Sequence, residues 1–344
     1  MRDLICRKCG QKLSFENSLC LNCHSALGFH LPSRSLLVLP DRADHGAAEV
    51  DIDGTTWRTC ANLHIARCNW LVDTTETTES EKLCSSCKLT RIRPADDDLD
   101  AMAAYAEAET NKRRVVLELT ELGLPIVGRD QDPQTGLAFD LLSSADEQVL
   151  TGHADGLITL DLAEGDDVHR EQLRVSMSEP YRTLVGHFRH EIGHCYQMVL
   201  VGAGEHRARF EELFGDPDTD YQGALDRHYK EGAPENWEDD YVSSYATMHP
   251  AEDWAETFAH YLHIRDTLDT AAAFGMAQAG STLDSPLPGD VGFDQIIEWW
   301  LPLSWALNQI NRSMGHQDLY PFVLPPTVMD KMRFVHRLIA PSTL

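Results

Sequence analysis

His190-Glu191-Ile192-Gly193-His194 is the stretch whose residue types and spacing amount to a chemical device. On a helix, residues i and i+4 lie on one face, so the two imidazoles can reach a single metal ion. Glu191 then stands beside them, placed to take a proton from a water on that ion. This HExxH spacing suits zinc-assisted hydrolysis, with His190 and His194 as ligands and Glu191 as general base. A helix carrying two surface histidines would spell the same pattern, so the flanking chain has to supply the context.

A catalytic zinc takes three protein ligands and keeps one position for water. The third is sought in His249-Pro250-Ala251-Glu252-Asp253-Trp254-Ala255-Glu256, where Glu252 and Glu256 are again i and i+4. Glu252 is read as the ligand, and Glu256 as the carboxylate that receives a ligand histidine's other N–H and holds its ring. The swapped assignment stays open, as do His249 and His260. Trp254, Phe258, Tyr261 and Leu262 mark the rest of this helix as buried, and carboxylates so placed need a partner. Zinc lowers the pKa of a bound water from about 16 towards roughly 7. Glu191 would take the proton and pass it to the leaving amine. Tyr245, seven residues before Glu252, is the candidate donor to the developing oxyanion, with Tyr241 as alternate.

The elements that position these groups follow from the flanking sequence. Ser178-Glu179-Pro180 offers an N-cap, an early acid and a proline near N1, which predicts a helix running through HEIGH to about Val201. His249-Pro250 opens the second helix, over 250–268. Gly156 to Leu162 alternates as a half-buried strand should, and Leu137 to Leu142 reads as another. In many zinc peptidases an edge strand before the zinc helix pairs with an extended peptide, a role open to the 156–162 strand by analogy, with an ordinary core strand as the equal alternative. Residues 98–122 read as a long helix behind Asp96-Asp97-Asp98, stopped by Gly123 and Pro125. Gly275 to Gly292 reads as a loop, Ile296 opens an apolar helix, and Val328 to Ile339 forms the last one. His187 reads as a satisfied surface or core histidine, with contact behind the metal as the alternative, and Cys195 reads as a small buried residue.

Eight of the nine cysteines fall in the first 87 residues. Cys6/Cys9 and Cys20/Cys23 form a four-thiolate set of zinc-ribbon type, with Gly10 allowing the tight backbone that follows. Cys60, Cys68, Cys84 and Cys87 make a second structural site, in which His64 could replace one thiol. Rubredoxin-like iron, and an interleaved pairing of the eight, stay open. So short a segment has little core, so the metal would supply much of its folding free energy. Leu36 to Leu39 and Val50 to Gly54 look like strands, and Thr74 to Glu81 like a polar loop.

The net charge is -26, yet residues 1–95 are nearly balanced. The acidity therefore lies downstream, where it would repel a phosphate backbone and disfavours nucleic acid as the main ligand. No apolar run is long enough to span a bilayer, and Cys6 comes before any signal-peptide core could form, so the expected compartment is the cytoplasm.

HEIGH with downstream Glu252-Asp253-Trp254-Ala255-Glu256-Thr257-Phe258 resembles the gluzincin class of zinc peptidases. It is similar to the lethal-factor-like members, which carry a Glu-x-x-x-Glu helix and a Tyr seven residues before its first Glu. More closely, the whole order resembles the bacterial zinc-binding metallopeptidases that carry an N-terminal zinc-ribbon region. The matching words are Cys60-Ala61-Asn62, Cys68-Asn69-Trp70, Leu83-Cys84 through Cys87, Glu179-Pro180-Tyr181-Arg182, Gly186 through His194, and His249 through His263. The resemblance implies metallopeptidase chemistry over most of the chain.

The expectation is an α+β protein. A zinc-ribbon-type module with two four-cysteine sites covers 1–93, and a mostly helical zincin-like domain with a small sheet covers 94–344. Three zinc ions are expected, one catalytic and two structural, with a peptide or protein substrate, a protein partner of the zinc module, and no membrane. A zinc-stabilised scaffold without activity and a zinc amidase acting on a non-protein amide are the rival readings. The intact Glu191 argues against the scaffold, because a purely structural site has no use for a base.

Overall fold

The computed structural model describes residues 2–40, 49–74, 82–145, 149–166, 183–202, 204–284 and 287–340. The architecture is α+β, with a cysteine-rich region of short strands followed by a mostly helical part with a small sheet.

In the first region, β1 (Leu4–Ile5) and β2 (Lys12–Leu13) form a hairpin around Cys6 and Cys9. The turn closes by Gly10 N–H donating to the Cys6 carbonyl, 2.8 Å, with Gly10 at φ 74°. Cys20 repeats the device: His24 N–H donates to the Cys20 carbonyl, 2.8 Å, with His24 at φ 54°. A left-handed residue after each CxxC folds the backbone back so that both sulfurs face one way. Hairpin β3 (Leu27–His30) with β4 (Ser35–Val38) follows, then an antiparallel sheet of β5 (Glu49–Ile52), β6 (Thr55–Thr59) and β7 (Leu71–Asp73). The strands expected at 36–39 and 50–54 are β4 and β5, and the expected turn at Asp53-Gly54 joins β5 to β6 with both residues at positive φ. Phe15, Phe29 and Trp70 pack as an aromatic cluster beneath. The polar stretch 74–81 lies almost wholly outside the described residues.

One four-stranded sheet has the order β10-β11-β9-β8, built from β8 (Thr90–Ile92), β9 (Ala138–Leu142), β10 (Gly152–Ala154) and β11 (Leu157–Asp161). β8, β9 and β11 are parallel, and β10 is antiparallel at the edge. The strand expected at 156–162 is β11, which is interior. The edge beside it is β10, where the chain turns tightly at Asp155-Gly156 into β11, and the other edge is β8.

Helix α1 (Leu99–Glu121) starts where the Asp98 side chain accepts from Ala101 N–H, 3.0 Å, and ends before Gly123 at φ 70°. It joins the two regions through buried polar groups. Arg113 donates to the carbonyls of Ala66 and Arg67, at 3.0 and 3.2 Å, and Glu118 meets Arg189 at 3.0 Å. A continuous core runs from Leu4 and Phe29 through Val115 and Phe139 to Phe188, Trp254 and Val335.

Helix α2 (Leu184–Tyr196) carries HEIGH. Thr183 caps it by accepting from Gly186 N–H, 3.1 Å, and it runs on as a π-turn over Gln197–Val201. The start expected at Ser178-Glu179-Pro180 lies outside the described residues. Two short helices, α3 (Glu205–Phe214) and α4 (Tyr221–Glu231), lead to α5 (Pro250–Ala273), where Pro250 stands in the first turn and the His249 ring accepts from Ala251 N–H, 3.1 Å. A second core cluster, around Ile264, Leu268, Trp300 and Met332, seats α6 (Gly289–Ser313) and α7 (Pro326–Ile339) against α5. The stretch expected as a loop over 275–292 therefore ends early. Gly292 belongs to α6, where any Cβ would collide with the Leu287 carbonyl, so glycine here serves packing. Among the described residues, no helix is long and apolar enough to cross a membrane.

Candidate metal and catalytic site

The site forms where α2 and α5 cross. Gly193, between the two HEIGH histidines, is the point of closest approach. A Cβ there would stand 3.0 Å from the Ala255 Cα and 3.2 Å from its carbonyl oxygen. Trp254 Nε1 donates to the Gly193 carbonyl, 2.8 Å, and ties the helices together in the core. With the backbones this close, the first turn of α5 brings Glu252 against both imidazoles.

His190 Nε2 lies 3.0 Å from Glu252 Oε2, and His194 Nε2 lies 3.4 Å from Glu252 Oε1. The donor atoms of His190, His194 and Glu252 all lie within 4.8 Å of one another. His190 Nδ1 meets Glu256 Oε1 at 2.7 Å, and Ser243 Oγ donates to Glu256 Oε2 at 2.6 Å, so the ring is held with Nε2 facing the centre. Burial opposes ionisation of Glu252, but His194 and His190 outweigh it and hold the carboxyl well below the usual range. Burial would likewise depress His190, yet Glu252 and Glu256 pull it well above the ordinary histidine value. Glu256 is brought to about 2, because its bond to His190 overcomes its burial. A buried carboxylate facing two imidazoles calls for positive charge at the centre, and an N, N, O donor set with a carboxylate behind one histidine fits zinc.

Glu191 is 9% exposed and, with His190, Tyr245 and Glu256, borders a cavity of about 270 Å³. The Tyr245 ring lies 6.0 Å from that of His190. Burial and the charge of Glu252 push its phenol far above the ordinary value, so it keeps its proton to donate. The alternate, Tyr241, lies elsewhere, its ring 4.2 Å from Lys331 Nζ. His249 serves as the helix cap and faces Thr219, while His260 meets the Tyr320 hydroxyl at 2.9 Å. His187 pairs with Glu164 at 2.5 Å, and Cys195 is buried, which pushes its thiol up to about 12.

Three groups went unforeseen. Tyr221 donates to Glu252 Oε1 at 2.9 Å, Ser243 grips Glu256, and His153 of edge strand β10 stacks on His194 at 5.8 Å. Burial lowers His153 to about 4, so that ring is neutral. Nothing in the spacing of these residues could have found them, because each arrives from a separate element.

The eight early thiols form two groups, each within 4.8 Å: Cys6, Cys9, Cys20 and Cys23, and Cys60, Cys68, Cys84 and Cys87. Cys6 lies 3.7 Å from Cys23, Cys9 lies 3.6 Å from Cys20, and Cys68 lies 3.6 Å from Cys84. His64 is exposed and outside both groups. Behind the second group lie buried Lys112, Arg113 and Glu109 of α1.

Residues 101–338 match the family described as "putative zinc-binding metallo-peptidase", and residues 3–98 match a zinc-ribbon domain. An uncharacterized protein of Mycobacterium tuberculosis and one of Mycobacterium bovis are each 61% identical over 340 residues, covering 98% of this chain and 95% of the relative. No solved structure matches. A zinc ribbon and a downstream HExxH helix crossed by a glutamate helix thus meet in one sequence, and the chain belongs to this zinc-binding metallopeptidase family.

Proposed function

We propose that the protein is a zinc-dependent peptidase of gluzincin type that hydrolyses peptide or protein amide bonds, working in the cytoplasm, where its cysteines stay reduced. The carrying observation is the convergence of His190, His194 and Glu252 beside a cavity that Glu191 borders. His190, His194 and Glu252 would hold one zinc, and the two thiol groups would hold one structural zinc each, in a module over 1–93 ahead of a zincin-like domain over 94–344. Zinc held by the His–His–Glu set supplies a Lewis acid beside Glu191.

The chain's own groups do the rest. The Glu191 carboxylate takes a proton from the attacking water as the new C–O bond forms, then delivers it to the nitrogen as the C–N bond breaks. The Tyr245 hydroxyl donates to the oxygen that gains charge. Glu256 keeps the His190 ring in place, with Ser243 behind it. Tyr221 holds one oxygen of Glu252. The module over 1–93 offers a surface to a protein partner.

The test is Glu191→Gln in the full-length, zinc-loaded protein, assayed on a mixture of unstructured peptides. Cleavage should fall by about 10²- to 10⁴-fold with zinc content unchanged. Equal cleavage by the variant would remove the reading.

A further inference from the structure

The cavity does not end at the catalytic groups. Its lining extends beyond them to His187 and Gly186 of α2, to Ala259, His260 and His263 of α5, and to Tyr320 and Phe322. Gly186 and Ala259 are the small residues that the two helices contribute to this lining. The far wall is a locked stack of rings. His260 lies 4.4 Å from Phe322 at 85°, His263 lies 5.4 Å from Tyr320, and Tyr320 rests edge-on against Trp300 at 4.9 Å.

We propose that this pocket sets the specificity of the enzyme by receiving a large uncharged aromatic side chain from a residue adjoining the scissile bond. The inference rests on the hydrolase reading above and adds a substrate class to it. Size is the first argument: the whole cavity, catalytic end included, is about 270 Å³, below the range of whole small-molecule sites, roughly 300 Å³ upward, so the part beyond Glu191 has room for no more than one bulky side chain. Charge is the second. The ionic groups on the wall already have partners: Glu256 with His190 and Ser243, Glu164 with Thr151 and His187, and Arg189 with Glu118 and Asp266. The carboxylate of Glu191, unpaired among the described residues, stands at the catalytic end, whereas the described residues of the far end, Ala259, His260, His263, Tyr320 and Phe322, include no acid, lysine or arginine. A charged side chain reaching them would be desolvated without a counter-charge beside it. The third argument is the wall's surface. His260 and His263 are brought by burial to about 4 and about 3, so both are neutral, and with Tyr320 and Phe322 they offer edges and faces for ring packing.

The experiment uses the zinc-loaded full chain and a peptide set in which each of the two residues flanking one bond is varied through Phe, Tyr, Trp, Ala, Lys and Glu. At one of the two positions, the aromatic peptides should show kcat/KM at least about tenfold above the alanine peptide, with Lys and Glu at or below alanine. Ala259→Leu, which narrows the pocket, should erase that preference. If that variant fails to fold, Phe322→Ala, which removes a wall, should do the same. Cleavage without aromatic preference, or with a preference for Lys or Glu, overturns the pocket assignment and leaves the hydrolase intact. Binding of the same peptides to Glu191→Gln by calorimetry separates the two readings. Tighter binding of the aromatic peptides to the variant, with no cleavage by wild type, supports the pocket and removes the hydrolase. Binding without aromatic bias overturns the pocket.

Discussion

Cys6 and Cys23 are 17 residues apart in sequence, and each CxxC pair of their group sits on a tight turn that a left-handed residue closes. His190 and Glu252 are 62 residues apart and sit on two long helices held by Gly193, Ala255 and Trp254. The first thiol group is therefore assembled by local backbone turns, with strands of two to five residues about it. The His–His–Glu group is assembled by the packing of α2 on α5. On the proposed reading the difference separates two kinds of site: one in which bound zinc would supply folding free energy, and one in which helix packing would hold the ligands.

That contrast can be broken by substitution. Cys20→Ser removes one ligand from a fully buried position and should lower Tm by more than about 10 °C, read by thermal unfolding, because the metal's binding free energy is also folding free energy there. Glu256→Gln should leave Tm nearly unchanged yet weaken zinc binding at the His–His–Glu group by about 10- to 100-fold, measured by competition with a chelator. Gly193→Ala tests the packing half. Its added methyl must move Ala255 by a few tenths of an ångström, which should cost about 1 kcal/mol in denaturant unfolding and lower activity while zinc stays bound.

Legibility in the sequence follows the same division. The CxxC turns and HEIGH were readable because their donors are neighbours on one turn or one helix face. The long helices α1 and α5 were readable from caps and composition, to within a few residues at their ends, whereas α2 is capped by Thr183 and not at the Ser178-Glu179-Pro180 start that the sequence offered. Glu252 was half-legible: its i, i+4 relation to Glu256 announced a face, but only the crossing at Gly193 brings that face to the histidines. Tyr221, Ser243 and His153 were invisible, since α4, a loop and the edge strand reach the site only through tertiary packing. The strand at 157–161 was legible as a strand, but of its two readings, edge or core, only the structure selects the interior one, because its alternation reports burial and says nothing about which neighbour lies outside it.

The central claim is that Glu252 completes a metal site that the fold holds ready. Elemental analysis of zinc per chain, with thermal unfolding on the same samples, tests it most directly. Wild type should carry about three zinc ions and Glu252→Ala about two, with Tm little changed. Retention of the third ion by the variant would contradict the account.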